Sequence, residues 1–322
     1  MWSSRSSRKD RQVLRRTEST TAAFVSPRQW GLGYMFQRRL AAYLFVLPSL
    51  IFLVVFVVYP IASAFYLSLH RYNLLEPPVW DGLGRYRLLM EDPRFFKALG
   101  NTLFFALITV PVGTVVSLLL AVLINQPLRG IYLYRTAYYL PVVTSFVAVS
   151  FIWLWIYEPQ FGVLNRLLEG VGLPTFAWLR DPKTAMISIA ILSIWKNAGY
   201  NMIIFLAGLQ GIPHHLYEAA KIDGANGVQR FWHVTVPMLS PTTFFVFVVY
   251  FIGALQMFTQ SWILTQGGPL DSTLTVVYLI YQNGFEFLKM GTAAAMSVVL
   301  FLVIAVVTYI NTRVIRYEAH FS

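Results

Sequence analysis

Residues 40–69 read LAAYLFVLPSLIFLVVFVVYPIASAFYLSL, a stretch with no charged side chain. A bilayer core of about 30 Å is crossed by about 20 apolar residues in helical form, so this run is long enough to span. It is too long for a secretory signal, whose apolar core is roughly 7 to 15 residues. It also runs continuously apolar instead of alternating, which argues against a transmembrane β-strand. Five further runs meet the same test, at approximately 102–124, 136–157, 184–209, 243–265 and 292–312. The expected fold class is therefore all-α, a polytopic membrane protein with six transmembrane helices. Pro48, Pro60, Pro111 and Pro141 fall inside these runs and are tolerable where neighbouring groups satisfy the freed carbonyls.

Composition agrees. The 322 residues are 57% hydrophobic and 12% charged, against about 25% charged in a soluble domain. The net charge of +11 does not indicate nucleic acid, because nine of the 25 basic residues lie in residues 1–39 and are not spread over a folded face with interleaved aromatics. That segment reads as a disordered or weakly amphipathic cytoplasmic tail. Cysteine is absent, which excludes disulfides, thiolate metal sites and cysteine nucleophiles.

Basic residues near span ends are retained in the cytoplasm. With both termini inside, the tail, the loops 125–135 and 210–242 and the chain end carry 15 Lys and Arg against five acids. The outer loops carry nine bases and nine acids. Nearly all the net charge thus lies on one face. The expected organisation is a cytoplasmic tail over 1–39, a six-helix domain over 40–317 and a short C-terminal tail over 318–322. The longer outer loops, 70–101 and 159–183, hold Trp80, Tyr86, Phe95, Phe96, Phe161, Phe176 and Trp178, suited either to a lid or docking surface or to interfacial anchoring.

The cytoplasmic loop 210–242 is the least oily internal segment, EAAKIDGANGVQRFWHVTVPMLSP over residues 218–241. Pro213 suits a first helical turn and Gly224 a left-handed helix end, so His214 to Asp223 is expected as a helix of about three turns. Leu216, Ala219 and Ile222 would share one face. Ala219 and Ala220 keep the surface low for a partner's groove, and Glu218 offers an acceptor. Gly224 and Gly227 would let the chain turn back, with Phe231 and Trp232 at headgroup level and Pro237 and Pro241 opening the next span.

Glu218-Ala219-Ala220, Gly224 as seventh residue and Val236-Pro237 beyond it resemble the cytoplasmic EAA loop of permease subunits of bacterial binding-protein-dependent ABC importers. The longer run IPHHLYEAAKIDGANGVQRFWHVTVPMLSP, with LTQGGPLDST at 264–273, is similar to the carbohydrate branch, related to maltose and glycerol-phosphate permeases of the type I importers. The match covers roughly residues 40–317. It implies a coupling helix seated in a cleft of an ATP-hydrolysing subunit, with Glu218, Ala219, Ala220, Asp223, Gly224 and Pro237 as the coupling residues. It further implies a second homologous permease, two ATPase subunits holding ATP and Mg, an extracytoplasmic solute-binding protein, and residence in the bacterial cytoplasmic membrane.

Polar residues inside spans are costly and nominate a path. Asn197, Tyr200, Tyr250, Gln256 and Gln260 are the expected lining residues, since amides and aromatics suit sugar hydroxyls and C–H faces. Each could instead hold helices together at about 0.6 kcal/mol per hydrogen bond. Lys196 would favour an anionic sugar or pair with a partner's carboxylate. Family members often place an acid after the LQxF pattern, whereas Thr259 follows Leu255-Gln256-Met257-Phe258 here, so that role does not transfer. No phosphate loop, metal-ligand spacing or catalytic constellation is present, so the transport subunit that the resemblance implies is expected to have no ATPase site, cofactor or metal of its own. A stand-alone secondary transporter, the alternative, would be expected to carry intramembrane acids; a non-carbohydrate importer permease is the other.

Overall fold

The computed structural model describes residues 32–126 and 129–314. The expected tails therefore lie outside the described residues, except that 32–39 are helical and the first helix starts earlier than the apolar run does. Polar residues such as Gln37 and Arg38 are good helix formers, so the edge of an oily stretch is not a helix boundary. Contacts divide the chain into two units, Met1–Ile61 and Ala62–Ser322.

The first unit holds α1 (Leu32–Leu53) and the wider π-helical turn Val54–Val58, and α2 (Tyr59–Ser68) begins in it. The Tyr59 amide reaches back to the Val54 carbonyl one residue before Pro60. A proline ring clashes with the carbonyl four residues earlier, and the wide turn makes room for it. The apolar length Ala42–Ser68 is sufficient to cross a membrane.

The second unit begins within α2 and adds a short antiparallel pair, β1 (His70–Arg71) and β2 (Val79–Trp80), with His70 opposite Trp80. After α3 (Gly84–Glu91), α4 (Pro93–Ile124) opens on Asp92, whose side chain accepts the Arg94 amide at 2.9 Å. Pro93 follows at the first helical position, where no amide donor is needed. Next come α5 (Ile131–Val143), α6 (Phe146–Ile156), α7 (Val163–Gly170), α8 (Ala185–Gln210) and α9 (His214–Ile222). The rest is α10 (Gly227–Arg230), α11 (Val236–Met238), α12 (Ser240–Leu255), α13 (Thr259–Leu264), α14 (Val276–Tyr281) and α15 (Met290–Val314).

Four apolar lengths are straight and long enough to cross a membrane: Ala42–Ser68, Pro93–Ile124, Ala185–Gln210 and Met290–Asn311. Two more are bent pairs, Ile131–Val143 with Phe146–Ile156 at 99° and Gly227–Met238 with Ser240–Leu255 at 64°. Six spans are reached when each pair counts as one. The 99° bend arises because Thr144 and Ser145 are extended, with ψ of 148° and 137°. At the 64° bend Pro237 and Pro241 each open a new helical piece, and a second π-helical turn, Phe231–Thr235, again has its C-cap, Val236, one residue before a proline. The expected continuous span over 243–265 is cut at 256–258, where Thr275 donates its hydroxyl to the freed Met257 carbonyl at 2.8 Å. Such a substitute partner is what a break in an apolar environment requires.

Three buried clusters stack along the bundle. At the end that carries α9, Ile124, Met202, Phe205, Leu209 and Leu239 meet, with Leu216 and Tyr217 of α9 packed on them. Phe105, Val110, Ile189, Leu192, Phe251 and Leu255 fill the middle. Leu89, Phe95, Leu274, Tyr278 and Met296 fill the opposite end. Small residues set the spacing: a Cβ at Gly199 of α8 would collide with the Tyr138 carbonyl of α5.

Candidate functional site: a central cavity and an exposed helix

The exposed helix is α9. Pro213 is its N-cap, in extended conformation with ψ of 130°, and so precedes the first turn it was expected to occupy. At the other end the Ala225 amide donates to the Ala220 carbonyl at 2.9 Å and the Gly224 amide to the Lys221 carbonyl at 3.1 Å. With Gly224 at φ +78°, this is the two-bond closure in which a left-handed glycine satisfies the last carbonyls. Leu216 and Tyr217 face the bundle, and the Tyr217 hydroxyl lies 3.0 Å from Thr235 Oγ1. Ala219 and Ile222 do not share the face of Leu216: both are exposed, and Ile222 is 86% exposed.

Glu218, Ala219, Asp223 and Gly224 are likewise exposed, and Ala220 is half-buried. Ala220, Asp223 and Gly224 border a groove of about 270 Å³ whose far side is Gln229, Arg230 and His233. Gly227 does not make the return turn. Asn226 caps α10, accepting the Gln229 amide at 2.9 Å while the Gln229 side chain accepts the Asn226 amide at 2.8 Å. This reciprocal pair was legible as Asn-x-x-Gln. Pro237 lies apart from the exposed tip, in α11 beside the 64° bend.

The cavity, of about 240 Å³, lies between α4, α6, α8, α12 and α13. Asn197, Tyr200, Tyr250 and Gln260 line it; Gln256 does not. Because α12 stops at Leu255, Gln256 turns outward and is exposed, and Met257 takes the lining position. Asn201, Ser193, Thr109, Phe105 and Phe146 complete much of the wall. Thr109 and Gly113 stand one turn apart in the apolar run of α4, a polar and small pair that could have flagged this face.

Four lining groups are more than nine-tenths buried and have no hydrogen-bond partner among the described residues: Thr109 Oγ1, Ser193 Oγ, Asn201 Nδ2 and the Tyr250 hydroxyl. Tyr250 lies beside Asn197 without making a well-formed bond to it. An unmet buried polar group costs about 1–3 kcal/mol, so hydroxyls brought by a ligand would be stabilised here. The cavity wall has no charged side chain. Lys196 points elsewhere: Nζ donates to the carbonyls of Pro141 at 2.8 Å, Val142 at 3.3 Å and Thr144 at 2.9 Å. The expectations that it meets an anionic sugar or a partner's carboxylate give way to this geometry.

At the end opposite α9, the 264–273 loop is tied to α4. Arg94 forms a two-pronged ion pair with Asp271 at 3.0 and 3.1 Å, Lys97 donates to the Leu270 carbonyl at 2.6 Å, and Asn101 to the carbonyls of Asp271 and Leu274.

Comparison with known proteins gives one consistent family. Residues 88–316 match the family described as binding-protein-dependent transport system inner membrane component. A probable ABC transporter permease of Bacillus subtilis (strain 168) is 36% identical over 289 residues, covering 88% of this chain and 93% of that protein. The lactose transport system permease of Rhizobium radiobacter is 39% identical over 277 residues, covering 84% and 92%. Among solved structures, a chain of a bacterial ABC transporter involved in the import of the acidic polysaccharide alginate matches with a TM-score of 0.78 at 25% identity, covering 89% of this chain and 99% of that one.

Proposed function

The chain belongs to the family of binding-protein-dependent transport system inner membrane components, and from that premise we propose that it forms the membrane pathway of an ATP-driven importer for a sugar, oligosaccharide or polyol derivative. The observation that carries the solute class is the set of four unpartnered polar groups on an uncharged cavity wall. Hydroxyl-rich solutes match such a wall, because each hydroxyl both donates and accepts. The named lactose relative supports the same class.

In this reading Asn197, Tyr200, Tyr250 and Gln260 meet the solute, together with Asn201, Thr109 and Ser193. A second, homologous permease closes the pathway, and a solute-binding protein delivers from outside. Two ATPase subunits, which hold the ATP and Mg, seat α9 in a cleft through Glu218, Ala219, Ala220, Asp223 and Gly224. Pro237 acts from the bend. Both termini are cytoplasmic. ATPase closure pushes the exposed tip of α9, and Leu216 and Tyr217, packed on the bundle, pass the displacement to α4 and α8. Alternating access follows from rocking those helices. The subunit itself does no bond chemistry.

The experiment is mild-detergent purification of the chain from its host, with mass spectrometry of what accompanies it, then reconstitution in liposomes. A second permease and an ATPase, with uptake of labelled sugar that needs ATP, are the expected results. A chain that purifies alone and moves solute without ATP would put the secondary-transporter reading in its place.

A further inference from the structure

Lys196 is 5% exposed in the middle of a membrane span, a setting in which an unmatched ammonium is costly. No carboxylate among the described residues pairs with it. Its three N–H donors instead meet three carbonyls, those of Pro141, Val142 and Thr144. These belong to the end of α5 and the break after it, where a helix leaves its last carbonyls without intrahelical partners and where its dipole concentrates negative charge. The lysine therefore serves as a cap supplied from another helix, and the 99° bend in this span is stabilised by it.

Two further contacts tie this cap to the cavity. The ammonium stands 4.8 Å from the centre of the Phe146 ring, within range of a cation–π attraction, and Phe146 lines the cavity. One turn along α8, Gly199 admits the Tyr138 carbonyl so closely that a Cβ there would collide with it. Backbone contact and side-chain cap together fix the end of α5 to α8. Ser193 and Asn197, which flank Lys196 in α8, line the same cavity.

We propose that Lys196 is a positioning residue for transport, pinning the bend at Thr144 and Ser145 and, through Phe146, holding one wall of the solute cavity in place. Its charge is spent on backbone and is not offered to solute. The proposal rests on the reading of the cavity as the solute pathway.

The test uses the reconstituted complex. The chain has no cysteine, so a spin label on Ser145→Cys, an exposed position in the bend, reports local order independently of transport. Uptake is measured with a radiolabelled uncharged disaccharide and its uronate counterpart. Lys196→Met, which removes all three hydrogen bonds to the bend, is expected to mobilise the label and, through the displaced cavity wall, to raise KM about tenfold, the equivalent of one solute hydrogen bond lost, with the maximal rate little changed. Lys196→Arg, whose donors also reach carbonyls, restores part of both. Should Lys196→Met fail to assemble, Phe146→Leu carries the test: KM rises while the label stays ordered. An unchanged line shape in Lys196→Met, or a loss confined to the uronate, overturns the proposal. Gln260→Leu separates it from the underlying reading. Uptake lost there but unchanged in Lys196→Met overturns the positioning role alone, whereas uptake unchanged in both removes the cavity from the pathway.

Discussion

The ring of Tyr250 lies directly against Gly113: a Cβ at position 113 would stand 2.5 Å from the Tyr250 Cε1 atom and 2.8 Å from its hydroxyl oxygen. A glycine in mid-helix costs roughly 0.5–1 kcal/mol relative to alanine, and here its use is room for an aromatic side chain that carries an unpartnered hydroxyl into the cavity. The pair joins α12 to α4 at the level of the solute wall.

From this contact, Gly113→Val is expected to displace Tyr250 into the cavity and reduce uptake at least as much as Tyr250→Phe does. Tyr250→Phe keeps the packing and removes only the hydroxyl, so its expected effect is about a tenfold loss in uptake efficiency. Initial uptake rates in proteoliposomes, measured against solute concentration, check both. Equal uptake in Gly113→Val and the parent protein would show that the ring does not face solute.

Gln260 and Gln256 make a sharper pair. Gln260 is 9% exposed and lines the cavity, whereas Gln256 is exposed and lies off it. Gln260→Leu should cut uptake about tenfold by removing a hydrogen-bonding partner of the solute. Gln256→Leu should leave uptake unchanged. The reverse order of effects, read in the same assay, would mean that α12 continues past Leu255 during transport.

That pair also shows what the sequence could and could not carry. Residues 256 and 260 are one helical turn apart and share a face only if the helix is unbroken, and the break at 256–258 follows from tertiary contacts. Phe258 stacks on Trp262 at 5.5 Å and packs on Tyr281, while Thr275 takes the Met257 carbonyl. None of these partnerships has a local signature. Lys196 is similar, since its acceptors are backbone carbonyls more than fifty positions away in the chain and carbonyls leave no mark in a sequence. Other features were legible because they are local or set by the solvent. Apolar length reports the spans and Gly224 the end of α9, whereas proline alone does not report the bends, since Pro111 lies inside the unbroken α4. The outward face of α9 was misjudged because Leu216 and Tyr217 pack inward as neighbours, a choice made by the cluster beneath them.

Gly224 separates conformation from charge. It sits at φ +78° with no atom within 4 Å of where a Cβ would project, so substitution costs only the left-handed backbone, roughly 1–2 kcal/mol for most residues and less for Asn and Asp. Gly224→Asn should therefore assemble and retain much of its uptake. Gly224→Asp should reach the membrane in equal amount yet abolish uptake, because it adds a carboxylate beside Asp223 on the surface meant for the ATPase. Quantitative membrane immunoblots alongside uptake assays decide this. Normal uptake from Gly224→Asp would remove α9 from the coupling path.

Asn165 organises the loop at the end of the bundle opposite α9 and is the most demanding single side chain there. It is 3% exposed, and its amide nitrogen donates to the carbonyls of Pro159 and Phe176, each at 2.9 Å. Its oxygen accepts the Phe176 amide at 3.2 Å and the Trp178 indole N–H at 2.7 Å. All four hydrogen-bonding positions of the side chain are filled, and the Phe176 and Trp178 rings are held 5.4 Å apart, tilted by 58°. Asn165→Ala strands these groups, at about 1–3 kcal/mol for each one left buried, so the loop should open locally while the bundle stays folded. Hydrogen exchange should accelerate across 159–178 with no change in α4 or α8. If this loop receives the solute-binding protein, stimulation of ATP hydrolysis by that protein should fall while unstimulated hydrolysis is retained. Faster exchange with full stimulation would assign the loop's aromatic residues to membrane anchoring instead.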